Sequence, residues 1–366
     1  MTKGAIYAVA AERPEAVREP LQRIWRENLT LGTSPEEKYR RLYLEAPDPA
    51  AYVFVLRARL EAGGEEQVVG AMGVAVRRWW AGGREAVAAL FGDFAVDAAH
   101  RHLLPALQLS RQAREQVQEG FPLGYGFPNQ KAVGVMLRAG FGQLGTTSRY
   151  VRVLRHAAYA DRLGQRPSLP PALARLVARP LVAVAVGAVA DLGRRALDLP
   201  SSLRANVGFR LGWCDRPDGR FDALWEAARG EYPVVGVRSA AFLAWRYPGA
   251  TFATLSRRGE DALSAYAVVE LEPATGAAHL RDLFGHHADL GPLVDLLLPA
   301  LRRRGAASLS VRFLGAPLVR DLLTRRRFVA RGEGRTVVVV QGTRSTEGEL
   351  LVDPERWHLF DADEDA

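Results

Sequence analysis

The stretch FAVDAAHRHLLPALQL, Phe94 to Leu109, decides how this chain is read. An apolar, strand-like run of Phe94, Ala95 and Val96 ends, the basic turn His100-Arg101-His102 follows, and a helix opens at Leu104-Pro105. The first N–H groups of a helix have no intrahelical partner and sit at the positive end of its dipole. A turn of this layout therefore suits a phosphate. The glycines that let a phosphate approach the backbone are missing. Leu104 stands in their place, and Pro105 has no N–H to give. Proline is nevertheless at home in the first turn of a helix, so the turn-to-helix geometry survives with fewer donors.

Outward from this stretch, the chain alternates strands and helices. Pro14 to Leu29 reads as a helix. Ala51–Leu60, Val68–Trp80 and Glu85–Val96 read as strands, the last two joined by the glycine-bearing turn Ala81-Gly-Gly-Arg84. Pro105–Glu119 is a helix, Leu123–Phe127 a short strand, Gln130–Ala139 a helix and Arg149–Leu154 a strand. The same order returns between Phe209 and Gln341. Strands are expected at Thr251–Ser256, Ser264–Glu270, Ala278–Phe284, Ser308–Phe313 and Thr336–Val340. Helices are expected at Phe221–Arg229, Ala240–Arg246, Pro292–Arg304 and Pro317–Arg326. The strings MLRAGFGQLG, Met136 to Gly145, and LTRRRFVARG, Leu323 to Gly332, are alike in kind, and an internal duplication is the economical reading.

Between the halves, prolines cluster near Leu169 and an apolar helix follows, closed by Arg194 and Arg195. Its uninterrupted run, Leu181 to Ala190, is far shorter than the ~20 residues a membrane span requires. It reads as a buried or amphipathic linker helix, with docking on a membrane face as the sharper alternative. The expected organisation is an N-terminal domain over 1–156, a helical linker over 157–202, a second domain over 203–345 and an acidic tail over 346–366.

The 366 residues carry a net charge of +8, with 48% apolar and 25% charged residues, which fits a folded protein and not a disordered one. The positive charge is scattered arginine, with Lys3, Lys38 and Lys131 as the lysines. No aromatic-basic nucleic-acid motif accompanies it, so no nucleic-acid partner is expected. The tail from Thr346 holds eight acidic residues against Arg356. It either lies on a basic surface through Trp357 and Phe360 or stays solvated. Cys214 is the single cysteine, which excludes an internal disulfide, and no secretion signal opens the chain. A cytoplasmic location is expected. No metal site is expected either, because His286 and His287 are adjacent and lack partner ligands at useful spacing.

Phe94-Ala95-Val96 with Ala99-His100-Arg101, then Phe127-Pro128-Asn129, Ala132 and Leu137 to Phe141, resemble the GCN5-related N-acetyltransferase family. The resemblance implies an α/β (α+β) fold: two tandem domains, each a mixed, mostly antiparallel sheet flanked by helices. It also implies acetyl-CoA or another acyl-CoA as substrate, with the pyrophosphate on the loop Arg101-His102-Leu103-Leu104-Pro105-Ala106 and the thioester along Phe94, Ala95 and Val96. Asn129 caps the following helix and in the family lies near the pantetheine arm. Direct transfer to an amine needs a base for the ammonium and an acid for the thiolate. Family members often carry a tyrosine seven residues after the asparagine. Here Met136 stands there, so Asp93, His100 and Tyr125 are the candidates.

The second half has no basic residue with paired glycines in Leu280–Pro292, so it reads as a degenerate copy that completes an acceptor pocket or stabilises the first, with Arg246 and Tyr247 as possible lining. Trp79-Trp80 beside Arg77-Arg78 suits a ligand surface, although strand alternation turns one Trp inward. The acceptor implied is a small-molecule or glycan amine, such as an amino sugar of a surface polysaccharide. Two rivals stay open: a catalytically inactive ligand-binding or assembly protein, and a transferase resembling the Fem-type aminoacyl transferases.

Overall fold

The computed structural model describes residues 5–47, 52–60, 65–159, 180–343, 345–346 and 348–364. The first half runs β1 (Ala5–Glu12), α1 (Arg18–Asn28), α2 (Pro35–Tyr39) continuing into a π-helical turn over Arg40–Leu44, β2 (Tyr52–Leu60), β3 (Gln67–Ala81), β4 (Arg84–Val96), α3 (Leu103–Gly120), β5 (Leu123–Gly126), α4 (Gln130–Arg138) and β6 (Gly142–Val153). A long helix, α5 (Pro180–Gly208), leads to β7 (Phe209–Cys214), α6 (Gly219–Ala228), β8 (Val234–Gly236) and α7 (Ala240–Arg246). Then come β9 (Thr251–Arg257), β10 (Leu263–Glu272), β11 (Ala277–Gly285), α8 (His287–Arg303), β12 (Ser308–Gly315), α9 (Pro317–Arg325), β13 (Val329–Gln341), α10 (Gly348–Val352) and β14 (Trp357–Leu359).

The expected fold is a mixed α/β one, and so is the observed fold, but the halves do not carry separate sheets. They share one 14-stranded sheet in the order β1-β2-β3-β4-β5-β13-β6-β12-β11-β10-β9-β7. The order reads alike from both edges because the halves exchange a strand. β13 pairs antiparallel with β5 and with β6, and β6 pairs antiparallel with β12. Along this path only β4–β5 and β11–β12 are parallel. Each parallel pair is joined through a helix, α3 or α8, as a parallel connection requires.

Local sequence explains the helices. Leu109, Ala113 and Val117 of α3 recur every four residues and are buried against Phe54, Met72 and Phe91. α3 opens at Leu103, before the expected Pro105, because a proline in the first turn forfeits a donor that had no partner anyway. α8 opens at His287, before the expected Pro292. Leu290, Leu293, Val294 and Leu297 form one buried stripe, and burying it outweighs the single bond that Pro292 removes.

The middle of the chain departs from expectation, while at its end the tail follows the first of its two readings and lies on basic groups through Trp357 and Phe360. α5 continues to Gly208, past the expected linker boundary, so Arg194 and Arg195 lie mid-helix and Pro200 sits inside it. Among its described residues the apolar run is largely exposed: Val184, Val186 and Val189 face outward, as do Leu192 and Leu203 beyond it. The inward face is held by carboxylates instead. Asp191 accepts from the backbone and ring of His156 at 2.6 and 2.8 Å, and Asp198 pairs with Arg152 and Arg302. The prolines around Leu169 lie outside the described residues.

The acidic tail is not solvated. Trp357 and Leu359 are fully buried, and Asp361, Asp363 and Glu364 are buried as well. β14 bridges the halves by pairing with β12 and with β8, which in turn pairs with β3 at Trp79–Ala81. Arg238, wholly buried, donates from Nε to Asp282 at 2.9 Å and from Nη1 and Nη2 to the two oxygens of Asp363 at 2.9 and 2.7 Å. His358 Nε2 donates to the Leu283 carbonyl at 2.7 Å.

These contacts make two measurable demands. Asp363→Ala leaves Arg238 buried with half its compensation, so unfolding free energy should fall by about 3–5 kcal/mol in urea titration. Loss of under ~1 kcal/mol would mean water screens the pair. Burial also pushes His358 down to about 3, whereas the unfolded imidazole protonates near 6.5. The unfolded state therefore binds the extra proton between these values. Stability is complete above the unfolded value and drains as pH falls toward the folded one. At pH 5 this should amount to about 2 kcal/mol. The thermal midpoint of the wild type should fall more steeply from pH 7 to pH 5 than that of His358→Gln, which keeps a donor for Leu283. Equal slopes would refute the assignment.

Candidate active site

The parallel pairing of β4 and β5 runs from Ala88–Leu123 to Phe91–Gly126 and stops. Beyond it, β4 carries on through Gly92 to Val96 while β5 turns away at Phe127, so the strands splay and leave a slot. A bulge at the mouth makes β4 bend: between the pairs Gly73–Gly92 and Ala71–Ala95 the register shifts, and Asp93 has φ 56°. A non-glycine residue in this left-handed region is uncommon, aspartate tolerates it better than most, and such strain is held by surrounding structure. Phe94 is half-buried and Ala95 and Val96 are buried along the slot's β4 wall. Gly126 lies at its apex, where a Cβ would crowd the Phe91 carbonyl at 3.0 Å.

The turn after β4 leads straight to the start of α3. His102, extended at φ −121° and ψ 171°, precedes the helix, and no side chain caps it. The amides of Leu103 and Leu104 therefore have no protein acceptor among the described residues. Both leucine side chains are exposed, at 50% and 63%, so they do not roof the amides over with core packing. Arg101 turns away from this end: Nη2 donates to Asn28 Oδ1 at 2.6 Å and Nε to the Val96 carbonyl at 3.2 Å. His100 Nδ1 and His102 Nε2 both meet the Tyr7 hydroxyl, at 2.9 and 3.4 Å. Ala106 is half-buried against the core under α3. Asn129 accepts from the amides of Lys131 and Ala132, each at 3.0 Å, and so caps α4 as its sequence position implies.

The three catalytic candidates are dispersed. Asp93 lies beside the slot with a 7% exposed side chain, and Lys38 Nζ from α2 sits 2.9 Å from its carboxylate. A cavity of about 20 Å³, room for one water, opens there between Tyr43, Gly73, Arg77 and Asp93. Burial and the nearby Asp93 push the Tyr43 phenol well up. Tyr125 is fully buried with its ring edge-on to Trp79 at 5.1 Å and near Trp357, and burial raises its phenol strongly. His100 belongs to the α3 turn with Tyr7, not to the Asp93 cavity.

The second half carries a counterpart of each part, and each is filled. The β11–β12 pairing ends at Leu280–Val311, and β14 then lies against β12 at Leu314 and Gly315. The start of α8 is occupied by Glu231, whose carboxylate accepts from the His287 amide at 2.7 Å and meets His286 Nδ1 at 2.6 Å. No three-residue metal-ligand cluster exists among the described residues, and burial pushes the Cys214 thiol up, away from reactivity. Trp79 faces inward and Trp80 lies under Arg229 at 4.4 Å, with β8 laid along both, so this is no open hairpin tip. Arg246 does line a cleft with Tyr247, described below.

Sequence reasoning missed Lys38, Tyr43 and Trp245 at the site, and put Arg77 on a surface with Trp79 and Trp80 where the structure puts it in the Asp93 cavity. One signal was present: Lys38 is one of only three lysines in an arginine-dominated chain. No protein-family profile matches the chain, and no curated protein matches it in sequence. Solved structures do match. A GCN5-related N-acetyltransferase from Anabaena variabilis superposes with a TM-score of 0.57 at 13% identity, over 91% of this chain and 72% of that one. One from Kribbella flavida gives 0.53 at 13% identity, over 92% and 71%. Eis1 from Mycobacterium abscessus gives 0.54 at 15% identity, over 95% and 76%. With its splayed β4–β5 pair, its bulge at Asp93 and its helix start at Leu103, the chain has the fold of the GCN5-related N-acetyltransferases.

Proposed function

We propose that the protein is an acyl-CoA-dependent N-acyltransferase working by direct transfer, built as two tandem copies of one unit of which the first binds the coenzyme. One observation carries this reading: the start of α3 is open beside an open slot, while the matching start of α8 and its slot are filled by Glu231 and β14. An uncapped helix start with two free amides favours the doubly charged pyrophosphate. The unpaired edge of β4 from Gly92 to Val96 offers backbone groups to the pantetheine amides.

In the proposed reaction the acceptor amine, deprotonated, attacks the thioester carbonyl carbon. A C–N bond forms, the C–S bond breaks, and the coenzyme leaves as a thiolate that takes up a proton. Asp93 takes the ammonium proton through the water-sized cavity, with Lys38 Nζ 2.9 Å from its carboxylate. Tyr43, which lines the same cavity and is held protonated by burial, is assigned to return a proton to sulfur. Tyr125 packs the floor under the junction instead.

Calorimetry with acetyl-CoA should detect binding to the wild type. Leu103→Pro removes one of the two free amides at a position where proline fits, since His102 before it is already extended. Coenzyme affinity should fall about tenfold with the fold intact. No heat for any thioester would sink the transferase reading in favour of an inactive assembly protein. Asp93→Asn should lower transfer by at least about 10²-fold while leaving coenzyme affinity within about twofold. Unchanged transfer would dismiss Asp93 as the base.

A further inference from the structure

A second, larger cavity of about 350 Å³ opens on the other side of the Arg40–Leu44 turn. It is lined by Arg41 of the first half and, from the second half and the tail, by Arg246, Arg281, Arg312, Asp361 and Glu364 among others. Its carboxylates are committed. Asp361 is bound by Arg281 at 2.7 Å and Arg312 at 3.0 Å, Glu364 lies 3.6 Å from Arg312 and 3.4 Å from Arg335, and Glu270 is held by Arg281 at 2.6 Å. Arg41 differs. Its side chain makes one hydrogen bond, Nη2 to the Arg246 carbonyl at 2.6 Å, and no ion pair among the described residues. A guanidinium carries five N–H donors in a planar fork, so most of its capacity faces the cavity unfilled. Burial and the neighbouring Arg246 cation both make its charge costly, which is the signature of a site awaiting negative charge.

We propose that this cavity is an anion-binding site, taking a carboxylate or phosphate on the Arg41 guanidinium. The planar fork matches either group bidentately. The cavity is also placed to serve the reaction. Trp245 Nε1 donates to the Arg41 carbonyl at 2.8 Å, and the Trp245 ring lies 4.8 Å from the Arg77 guanidinium, which lines the Asp93 cavity. Arg41 and Tyr43 thus face two cavities across one turn of backbone. The anion is assigned to the acyl acceptor, which makes the substrate an amine bearing a carboxylate or phosphate. That assignment rests on the acyltransferase reading; the anion site itself does not.

Succinate is the probe, titrated calorimetrically into the full chain without coenzyme, at about 0.15 M salt so that loose surface attraction is screened. The wild type should bind it, Arg41→Gln should weaken binding by about tenfold or more, and Leu103→Pro should leave it unchanged. Should Arg41→Gln not fold, Arg41→Lys keeps the charge but loses the fork and should still weaken binding several-fold. Absence of binding by the wild type, or equal binding by the Arg41 variants, overturns the site. Glycine and glycinamide with acetyl-CoA then test the acceptor. Faster transfer to glycine, lost in Arg41→Gln, supports the assignment, and no preference between them overturns it. Succinate binding without transfer to any amine keeps the anion site and overturns the acyltransferase reading alone.

Discussion

Arg238 is a full positive charge with no exposed surface, and the junction of the two halves is arranged around it. Its guanidinium reaches Asp282 on β11, the Gly236 carbonyl at the end of β8, and Asp363 in the tail. An ion of this kind costs several kcal/mol to bury and is tolerated only when nearly every donor is met. The requirement fixes three distant pieces of chain at once. β8 is held where it can bridge β3 and β14, and β14 is held where it closes the slot of the second half. The tail acids that would otherwise repel one another are distributed over Arg238, Arg281, Arg312 and Arg335.

The consequence is an asymmetry between halves whose strand orders match. Both have a parallel strand pair that stops short and a helix that starts beside the gap. In the second, Glu231 supplies the anion that the start of α8 favours, and the chain's own β14 supplies the strand that the gap would accept. Both fillers satisfy real demands, because an open helix start and an unpaired strand edge are costly when buried. The first half leaves those demands unmet by protein. That difference, and not the missing glycines, is the physical support for placing the proposed diphosphate at the start of α3.

Much of this organisation was legible in the sequence. Alternation and turn glycines located the central strands but not β1, β7, β8 or β14, and Asn129 declared the start of α4 through its capping chemistry. The repeat in element order foreshadowed the matching edges of the sheet. What could not be read depends on contacts between distant residues. Strand exchange leaves no local signal, because β6 and β13 look like any half-buried strands. The apolar residues of α5 pointed to burial by composition, yet Asp191 and Asp198 find basic partners on the body and turn that face inward instead. Charge count could not choose between a tail laid on a basic surface and a solvated one, because Arg238, Arg281 and Arg312 are scattered over more than seventy residues of sequence and converge only when folded. At the site, Asp93 was visible, but its partner Lys38 arrives from a helix some fifty residues earlier.

The exchange of β6 and β13 also bears on why a filled second unit persists. Neither half can complete its own sheet, since each needs the other's last strand beside its fifth or twelfth. Loss of the second unit would expose the edges of β5 and β6, which invites non-native pairing. It would also remove Trp245 and Arg246, which close over the turn carrying Arg41 and Tyr43. The second half is therefore indispensable as structure, with the start of its own α8 closed by Glu231. The walls of the cavity beside Arg41 come from the end of α7, from β11 and β12 and from the tail, so the second half shapes the surroundings of the first whatever the start of its own α8 is bound to.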